Sequence, residues 1–474
     1  MSDLPGRVFT RLDARLTHAA KAPVAVALSG GGDSLALLEL TAAWARARGR
    51  RLLALTVDHA LHPDSAAWTR FAGAAARAAG ADWRPLVWEG ARGGPGAPAR
   101  ARAARHALLA EAARAAGARV ILTGHTADDV VEGEWMRAEG ATLGRLRDWS
   151  PSPAWPEGRG LMLMRPVLDE RRETLRDYLT ARGLTWLEDP GNADLRFGRG
   201  RARAALKEAL PLEGGGWGGG AVAAVANQAG ETPTVPPPAL HSPTSCAHPH
   251  PRPFPPRGGR ESVHASVAGC PPPNAQDLAW AGVLTMPRDA SASALAAALL
   301  CAGGDATPPR GDRLAALQAR LGGGEDFVAA LCGARVEATG ARVRLMREPG
   351  EWKRRPSASV ALTPGRPAVW DGRFEIVAKH EGLRVEAAAG RLARLSDAER
   401  AVLARLPAAA RAAAPVLIGR DGGRPVLAWG AATVRALAPR RLALAGGETT
   451  QEDGLFHTVD GETPPTDLFS AKDC

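Results

Sequence analysis

The run Ser29-Gly30-Gly31-Gly32-Asp33-Ser34 stands directly after the apolar Val24–Leu28 and directly before Leu35-Ala36-Leu37-Leu38-Glu39-Leu40. A strand, a glycine-rich turn and a helix N-terminus make an anion cradle. Glycines let the backbone approach a phosphate closely, and the free N–H groups of the first helical turn point at it. Ser29 and Ser34 add hydroxyl donors, and Asp33 adds a carboxylate that could hold Mg²⁺ against the phosphates. No lysine follows the glycines, so this is not the Walker-type loop. The cradle suits a departing pyrophosphate better than a transferred γ-phosphoryl group.

Further polar residues stand where other apolar runs end. One run closes in Val57-Asp58-His59, another in Leu122-Thr123-Gly124-His125-Thr126-Ala127-Asp128-Asp129, with Glu132 three residues on. A helix starting at Thr126 puts Asp128 and Asp129 in its first turn and Glu132 on the face of Asp129. N-capping by Thr126 and the pull of the helix dipole on acids would account for the two aspartates alone. Neither explains why they share a rim with the glycine loop. Asp58 also reads as an ordinary turn residue, and His59 and His125 as packing histidines. The basic run Arg196, Arg199, Arg201, Arg203 either touches nucleic-acid phosphates, closes the nucleotide site, or starts a solvated helix.

These residues need a scaffold that collects them. Val24–Leu28, Leu52–Val57, Leu86–Trp88 and Val120–Leu122 read as buried parallel strands. Segments with helical spacing lie between them, around Ser34–Arg48, Ser65–Ala79 and Ala99–Ala116, ended by Gly49, Gly80 and Gly117. That rhythm predicts a doubly wound parallel α/β domain with ligands at the carboxyl ends of its strands.

The loop Ser29–Ser34 resembles the signature of the PP-loop ATP-pyrophosphatase superfamily, of adenine nucleotide α-hydrolase-like fold. The set narrows further with Val57-Asp58-His59, His125–Asp129 plus Glu132, Arg165-Pro166-Val167-Leu168, Glu188-Asp189-Pro190-Gly191-Asn192 plus Asp194, and Phe197–Arg203. Together they look like the tRNA(Ile)-lysidine synthetase family, clearly over residues 20 to 207 and weakly beyond. Ala60-Leu61-His62, Val130-Val131-Glu132-Gly133 and Gly200 depart from that family's usual pattern.

The resemblance implies a cytoplasmic ligase that joins free L-lysine to C2 of the wobble cytidine of a CAU-anticodon tRNA(Ile). ATP would adenylate the cytosine with loss of pyrophosphate, and the lysine amine would then displace AMP. Ser29, Gly30, Gly31, Gly32, Asp33 and Ser34, with Asp58, His59 and His125, would hold ATP. Asp33 and Asp129 would position Mg²⁺, and Glu132 or Asp128 would bind the lysine ammonium or accept its proton. Arg199, Arg201 and Arg203 would meet the tRNA. The rivals are tRNA thiolation, opposed by the absence of cysteine from the first 210 residues, and a catalytically inactive tRNA-binding relative.

The 474 residues exceed one core, so several domains are expected. The domain reading is a catalytic domain over 1–210, a low-complexity insertion or linker over 211–276, an α+β domain over 277–360 and a tRNA-binding region over 361–474. The insertion is rich in Gly, Pro, Ser and His and lacks apolar periodicity, which reads as disorder. Its Cys246-Ala247-His248-Pro249-His250 has ligand types but no second pair at zinc spacing. Beyond it, Ala290–Ala302 and Arg313–Leu321 read as helices and Ala334–Leu345 as two strands about a Thr-Gly turn. Strand character returns over Val369–Val377, and residues 446–474 read as a frayed tail. The net charge of +10 favours a polyanionic partner, carried by arginine since lysine occurs only at 21, 207, 353, 379 and 472. No apolar run is long enough to span a bilayer, no secretory signal is read at the N-terminus, and five scattered cysteines fit a reducing compartment.

Overall fold

The computed structural model describes residues 3–90, 96–141, 144–188, 198–209, 275–304, 309, 311–354, 357–446 and 449–457. The low-complexity tract, including Cys246–His250, lies outside the described residues, as do Asp189–Phe197 and residues 458–474.

The first half alternates strands and helices: α1 (Leu4–Arg15), β1 (Val24–Ala27), α2 (Gly32–Arg48), β2 (Leu52–Asp58), α3 (Ser65–Ala78), β3 (Asp82–Val87) and α4 (Ala97–Ala115). It continues with β4 (Val120–Leu122), α5 (Ala127–Ala138), β5 (Trp149–Pro151), β6 (Met162–Met164), α6 (Arg172–Thr180) and α7 (Gly198–Ala209). The sheet runs β3-β2-β1-β4-β6-β5, parallel except for β5, which returns antiparallel along β6. Strand order reverses between β1 and β4. A crevice opens there at the carboxyl edge of such a sheet.

The buried strands follow their apolar runs because both faces are covered: every residue of β1, β4 and β6 is buried. α2 is buried on most of its surface, with Trp44 fully enclosed and its Nε1–H donating to Asp13 at 2.7 Å. Gly49 takes the left-handed conformation and ends α2 as its position predicts.

The third strand differs from expectation. It spans Asp82–Val87 rather than Leu86–Trp88, because it is the sheet's edge and is exposed along both faces, with only Trp83 and Leu86 half-buried. Such a strand carries no continuous apolar run, and Pro85 is tolerated because it lies at the edge. β5 and β6, three residues each, were too short to be read from sequence.

Beyond residue 275 the described chain is α+β. A four-stranded sheet of β7 (Leu284–Pro287), β8 (Phe327–Leu331), β9 (Ala334–Thr339) and β10 (Arg342–Arg347) runs in the order β7-β10-β9-β8. The β9–β10 hairpin turns at Gly340, whose φ of +55° suits glycine. The helices Ala292–Gly303 and Gly311–Gly322 pack on it. Two more sheets follow. One holds β11 (Val360–Ala361), β14 (Leu383–Ala387), β15 (Pro415–Gly419) and β16 (Val426–Leu427), and the other β12 (Pro367–Trp370), β13 (Phe374–Ala378) and β17 (Ala432–Ala436).

The cores interleave. Trp280, Val283 and Met346 pack with residues 362–436, whereas Ala438 packs with the sheet of β7 to β10. Leu444 and Leu455 join the core of the α/β domain itself.

The described part of the expected tail is therefore not frayed. Arg50 and Glu452 form a bidentate ion pair whose side chains are both fully buried. The Glu452 N–H donates to the Arg15 carbonyl at 2.7 Å, and Trp149 Nε1–H to the Thr449 carbonyl at 2.8 Å. Low local hydrophobicity hid this segment, because its anchors apart from Leu455 are polar.

Candidate active site

The glycine loop is closed by its own serines. Ser34 Oγ donates to the Gly31 carbonyl at 2.9 Å, accepts from the Ser29 N–H at 3.2 Å and lies 3.0 Å from Ser29 Oγ. Leu187 braces the loop, pairing its N–H with the Gly30 carbonyl at 3.0 Å. Gly30 has φ +87°, and a Cβ there would lie 2.7 Å from Leu187 Cδ1. Both facts demand glycine. Trp186 packs against Gly32, where a Cβ would come within 3.3 Å of its ring.

Asp33 leads the first turn of α2 at the carboxyl end of β1, and α5 starts at the carboxyl end of the adjacent β4. Gly124 lets these two loops meet, since a Cβ there would sit 3.0 Å from the Asp33 carbonyl oxygen. Asp129 does two jobs with its two oxygens. Oδ2 accepts from the Thr126 N–H at 2.9 Å and the Thr126 hydroxyl at 3.1 Å, so the capping reading is correct for that oxygen. Oδ1 faces the site, 3.6 Å from Arg199 and 3.9 Å from Arg172.

Arg172 ties the acidic rim together. Its Nε donates to Asp33 Oδ2 at 3.1 Å, its terminal nitrogens reach Glu132 Oε1 at 3.2 Å, and its backbone N–H donates to Asp128 Oδ2 at 2.8 Å. Asp128 thus caps the start of α6. Burial disfavours the Arg172 cation, but Asp33, Glu132 and Asp129 outweigh it and raise its pKa. Nothing in the sequence singled out Arg172. The available signal was its position seven residues after Arg165, opening a helix.

Glu132 is 2% exposed as a side chain. Oε1 accepts from Arg172 and from Arg203 Nε at 2.7 Å, while Oε2 is buried with no hydrogen-bond partner among the described residues. Burial raises the Asp33 pKa, with Asp129 adding to it against the pull of Arg172, so the two aspartates feel each other. Asp129 is held below the usual carboxylate range, against its burial, by the Thr126 N–H and the charges of Arg199, His125 and Arg172.

A second, cationic wall faces these acids. His125, bonded through Nδ1 to Thr123 Oγ1 at 3.1 Å, is pushed down to about 3 by burial and by Arg165, Arg199 and Arg105, against the pull of Asp129. On α4, burial and the neighbouring Arg102, Arg105 and Arg165 bring His106 down to about 4. Arg105 and His106 were not among the sequence candidates; their helix looked like an ordinary Ala/Arg segment.

Asp58 accepts from the Ala60 N–H at 2.7 Å, the turn role weighed for it, and Ala60 sits at φ +48°. His59 is half-buried, edge-on to Trp88 at 6.0 Å, and desolvation lowers its pKa. Of the arginine run, Arg203 pairs with Glu132 and Arg199, though exposed, reaches within 3.6 Å of Asp129, while Arg201 is exposed. Arg196 and Asp189–Asp194 lie outside the described residues. Cys301 and Cys332 belong to the C-terminal α+β region.

Residues 7–210 match the family described as a PP-loop domain. Over 455 residues the chain is 45% identical to a tRNA(Ile)-lysidine synthase of Caulobacter vibrioides, covering 94% of this chain and 98% of that one. The chain belongs to the tRNA(Ile)-lysidine synthase family. A second member, from Hyphomonas neptunium, is 45% identical over 190 residues, which cover 39% of this chain and 50% of the relative. Among solved structures, the U34-tRNA thiolase NcsA of Methanococcus maripaludis aligns at 16% identity with a TM-score of 0.37, over 48% of this chain and 78% of that one.

Proposed function

We infer that this protein is an ATP-consuming ligase that forms lysidine on tRNA(Ile). The observation that carries the reading is the 45% identity to a tRNA(Ile)-lysidine synthase, which extends through the C-terminal half rather than stopping at the nucleotide domain. The rim geometry supports the finer chemistry. The Ser29–Ser34 loop receives the β,γ-phosphates, with backbone N–H groups and the start of α2 supplying donors. Cytosine C2–O attacks the α-phosphate and pyrophosphate leaves, and the amine of lysine then attacks C2 and expels AMP.

Mg²⁺ fits this donor set. Among the described residues no cluster of three or more ligand side chains forms a cage, but Mg²⁺ characteristically takes one or two carboxylates and completes its shell with phosphates and water. Asp33 and Asp129, near enough to influence each other's ionisation, supply that pair. When bound, Mg²⁺ supplies charge neutralisation at the phosphates.

Glu132 Oε2, buried and without a hydrogen-bond partner among the described residues, is the acceptor best suited to the lysine ammonium; Asp128 is occupied with the start of α6. Arg199 and Arg203 close the acidic wall, and Arg201, exposed beside them, is placed to meet tRNA phosphate. The wobble cytidine of a CAU anticodon must leave its stack to reach this rim. A reaction on tRNA with ATP and free lysine fits a cytoplasmic enzyme. No described helix is long and apolar enough to cross a membrane.

The test is transfer of labelled lysine to a tRNA(Ile) transcript with a CAU anticodon, dependent on ATP and Mg²⁺. Asp33→Asn should lower the rate on the order of 10²-fold or more, and a transcript with uridine at the wobble position should accept nothing. Pyrophosphate release with a different acceptor, and no lysine incorporation, would overturn the substrate assignment.

A further inference from the structure

The dipeptide Trp186-Leu187, which follows α6 in the chain, packs against the glycine loop along its whole length. The Leu187 N–H donates to the Gly30 carbonyl at 3.0 Å, and a Cβ on Gly30 would lie 2.7 Å from Leu187 Cδ1. Gly31 makes a parallel bridge with Leu187, and a Cβ on Gly32 would come within 3.3 Å of the Trp186 ring. All three glycines are thus engaged by one short segment, which leaves little room for a Cβ at two of them. Packing within the protein, and not only the approach of a phosphate, sets the glycine requirement.

Trp186 is half-buried, and two charged neighbours fix its orientation. Its Nε1–H donates to Glu188 Oε1 at 2.9 Å, and Arg176 donates to the same oxygen at 2.8 Å. The Arg176 guanidinium also lies over the Trp186 ring at 5.7 Å, so the three side chains close a triangle. Arg176 and Glu188 are too exposed for their ion pair to add much stability. The triangle instead holds the indole at one angle against Gly32. Gly32 opens α2, whose first-turn N–H groups are the donors of the anion cradle. Arg176 stands one turn after Arg172 on α6, which packs on α2 through Leu175 and Leu179. One helix therefore carries both the cation that ties the acidic rim together and the cation that steadies Trp186.

We propose that Trp186 is a positioning residue for the nucleotide phosphates: held by Arg176 and Glu188, its ring sets the backbone of Gly32 and so aims the first-turn N–H groups of α2. This role rests on the reading of Ser29–Ser34 as the seat of the β,γ-phosphates. The indole acts through Gly32 and needs no contact with the nucleotide itself. Its effect therefore falls on ATP and pyrophosphate, which carry those phosphates, and spares lysine.

The test measures the dissociation constants of ATP and pyrophosphate with Mg²⁺ on the full chain, the KM for lysine at saturating ATP, and Tm. It compares wild type with Trp186→Ala, Trp186→Phe, Glu188→Gln and Ser34→Ala. Trp186→Ala should weaken ATP and pyrophosphate about tenfold and leave the lysine KM unchanged. Trp186→Phe keeps a flat ring against Gly32 and should recover most of that loss. Glu188→Gln, at an exposed position, should keep the wild-type Tm and weaken ATP about threefold, because the amide no longer holds Arg176 by charge. Unchanged ATP and pyrophosphate affinity in Trp186→Ala would overturn the proposal. So would a loss shared equally by ATP and lysine, or one that Trp186→Phe does not recover, since either marks general disruption of the domain. If Trp186→Ala does not fold, Glu188→Gln decides alone, and wild-type ATP affinity there overturns the proposal. Ser34→Ala separates this failure from failure of the loop reading. If it binds ATP as wild type does, the phosphates lie elsewhere and the loop reading falls with the role built on it. If it weakens ATP while Trp186→Ala does not, the positioning role alone fails.

Discussion

Arg172 meets four carboxylates at once, three through its guanidinium and Asp128 through its backbone N–H. Glu132 and Asp129 are buried and need a cation nearby, because an uncompensated buried charge is strongly unfavourable. Arg172→Gln should therefore cost about 2 kcal/mol in chemical denaturation, less than for a fully enclosed pair because the arginine is partly exposed. Lysine transfer should fall more steeply than stability. Arg172→Lys keeps the charge but not the fork, so it should recover most of the stability and little of the activity. Equal recovery of both would show that charge alone matters. The carboxylates Asp33, Asp129 and Glu132 were legible in the sequence because they follow strand ends; their shared cation was not, since α6 lies 40 residues from Glu132 in the chain.

At the scale of elements, the rim depends on how closely the β1 and β4 loops approach. Gly124 is the contact point, where added bulk meets the Asp33 backbone rather than a flexible side chain. Gly124→Ala should push the two loops apart by a few tenths of an ångström. Misplacement of that order at a reacting centre can lower kcat on the order of tenfold, with little change in Tm. A variant with normal kcat would show that the loops need not touch. α1 takes part from a distance. Arg7 and Arg11 clamp Glu170, whose carbonyl accepts from the Ala127 N–H, so α1 positions both the start of α5 and the turn before α6. The β4–α5 boundary was readable from Thr126 and the acids after it, whereas the edge strand β3 was misplaced because exposure on both faces removes the apolar signal.

At the scale of the whole molecule, the fully buried Arg50–Glu452 pair fastens the C-terminal segment to the α/β core. Glu452→Gln leaves a buried arginine half-satisfied and should cost about 3–5 kcal/mol, read as a lower denaturation midpoint and faster proteolysis near residue 449. Unchanged proteolysis would mean that the segment is held by its apolar residues instead. Acid should also loosen the fold. His106 and His125, with pKa values near 4 and 3 against an ordinary 6.5, stay neutral when folded but take up protons when unfolded. The stability associated with their neutral forms is complete above pH 6.5 and is lost as pH falls towards those values. Stability measured between pH 7 and 5 should decline, and His106→Gln should flatten that decline; an unaltered slope would rule His106 out.

What the sequence determined by itself is local. A lysine-free glycine loop between a strand and a helix, and acids in the first turn of α5, specify a tight turn with free N–H donors and an acidic rim because backbone conformation and hydrogen-bonding donors are set within a few residues. The tertiary structure alone decided which cations face those acids, and that Glu452 is sealed against Arg50 some 400 residues away. Charges carry no periodicity, so their pairing is written only where packing brings distant segments together and removes the water between them.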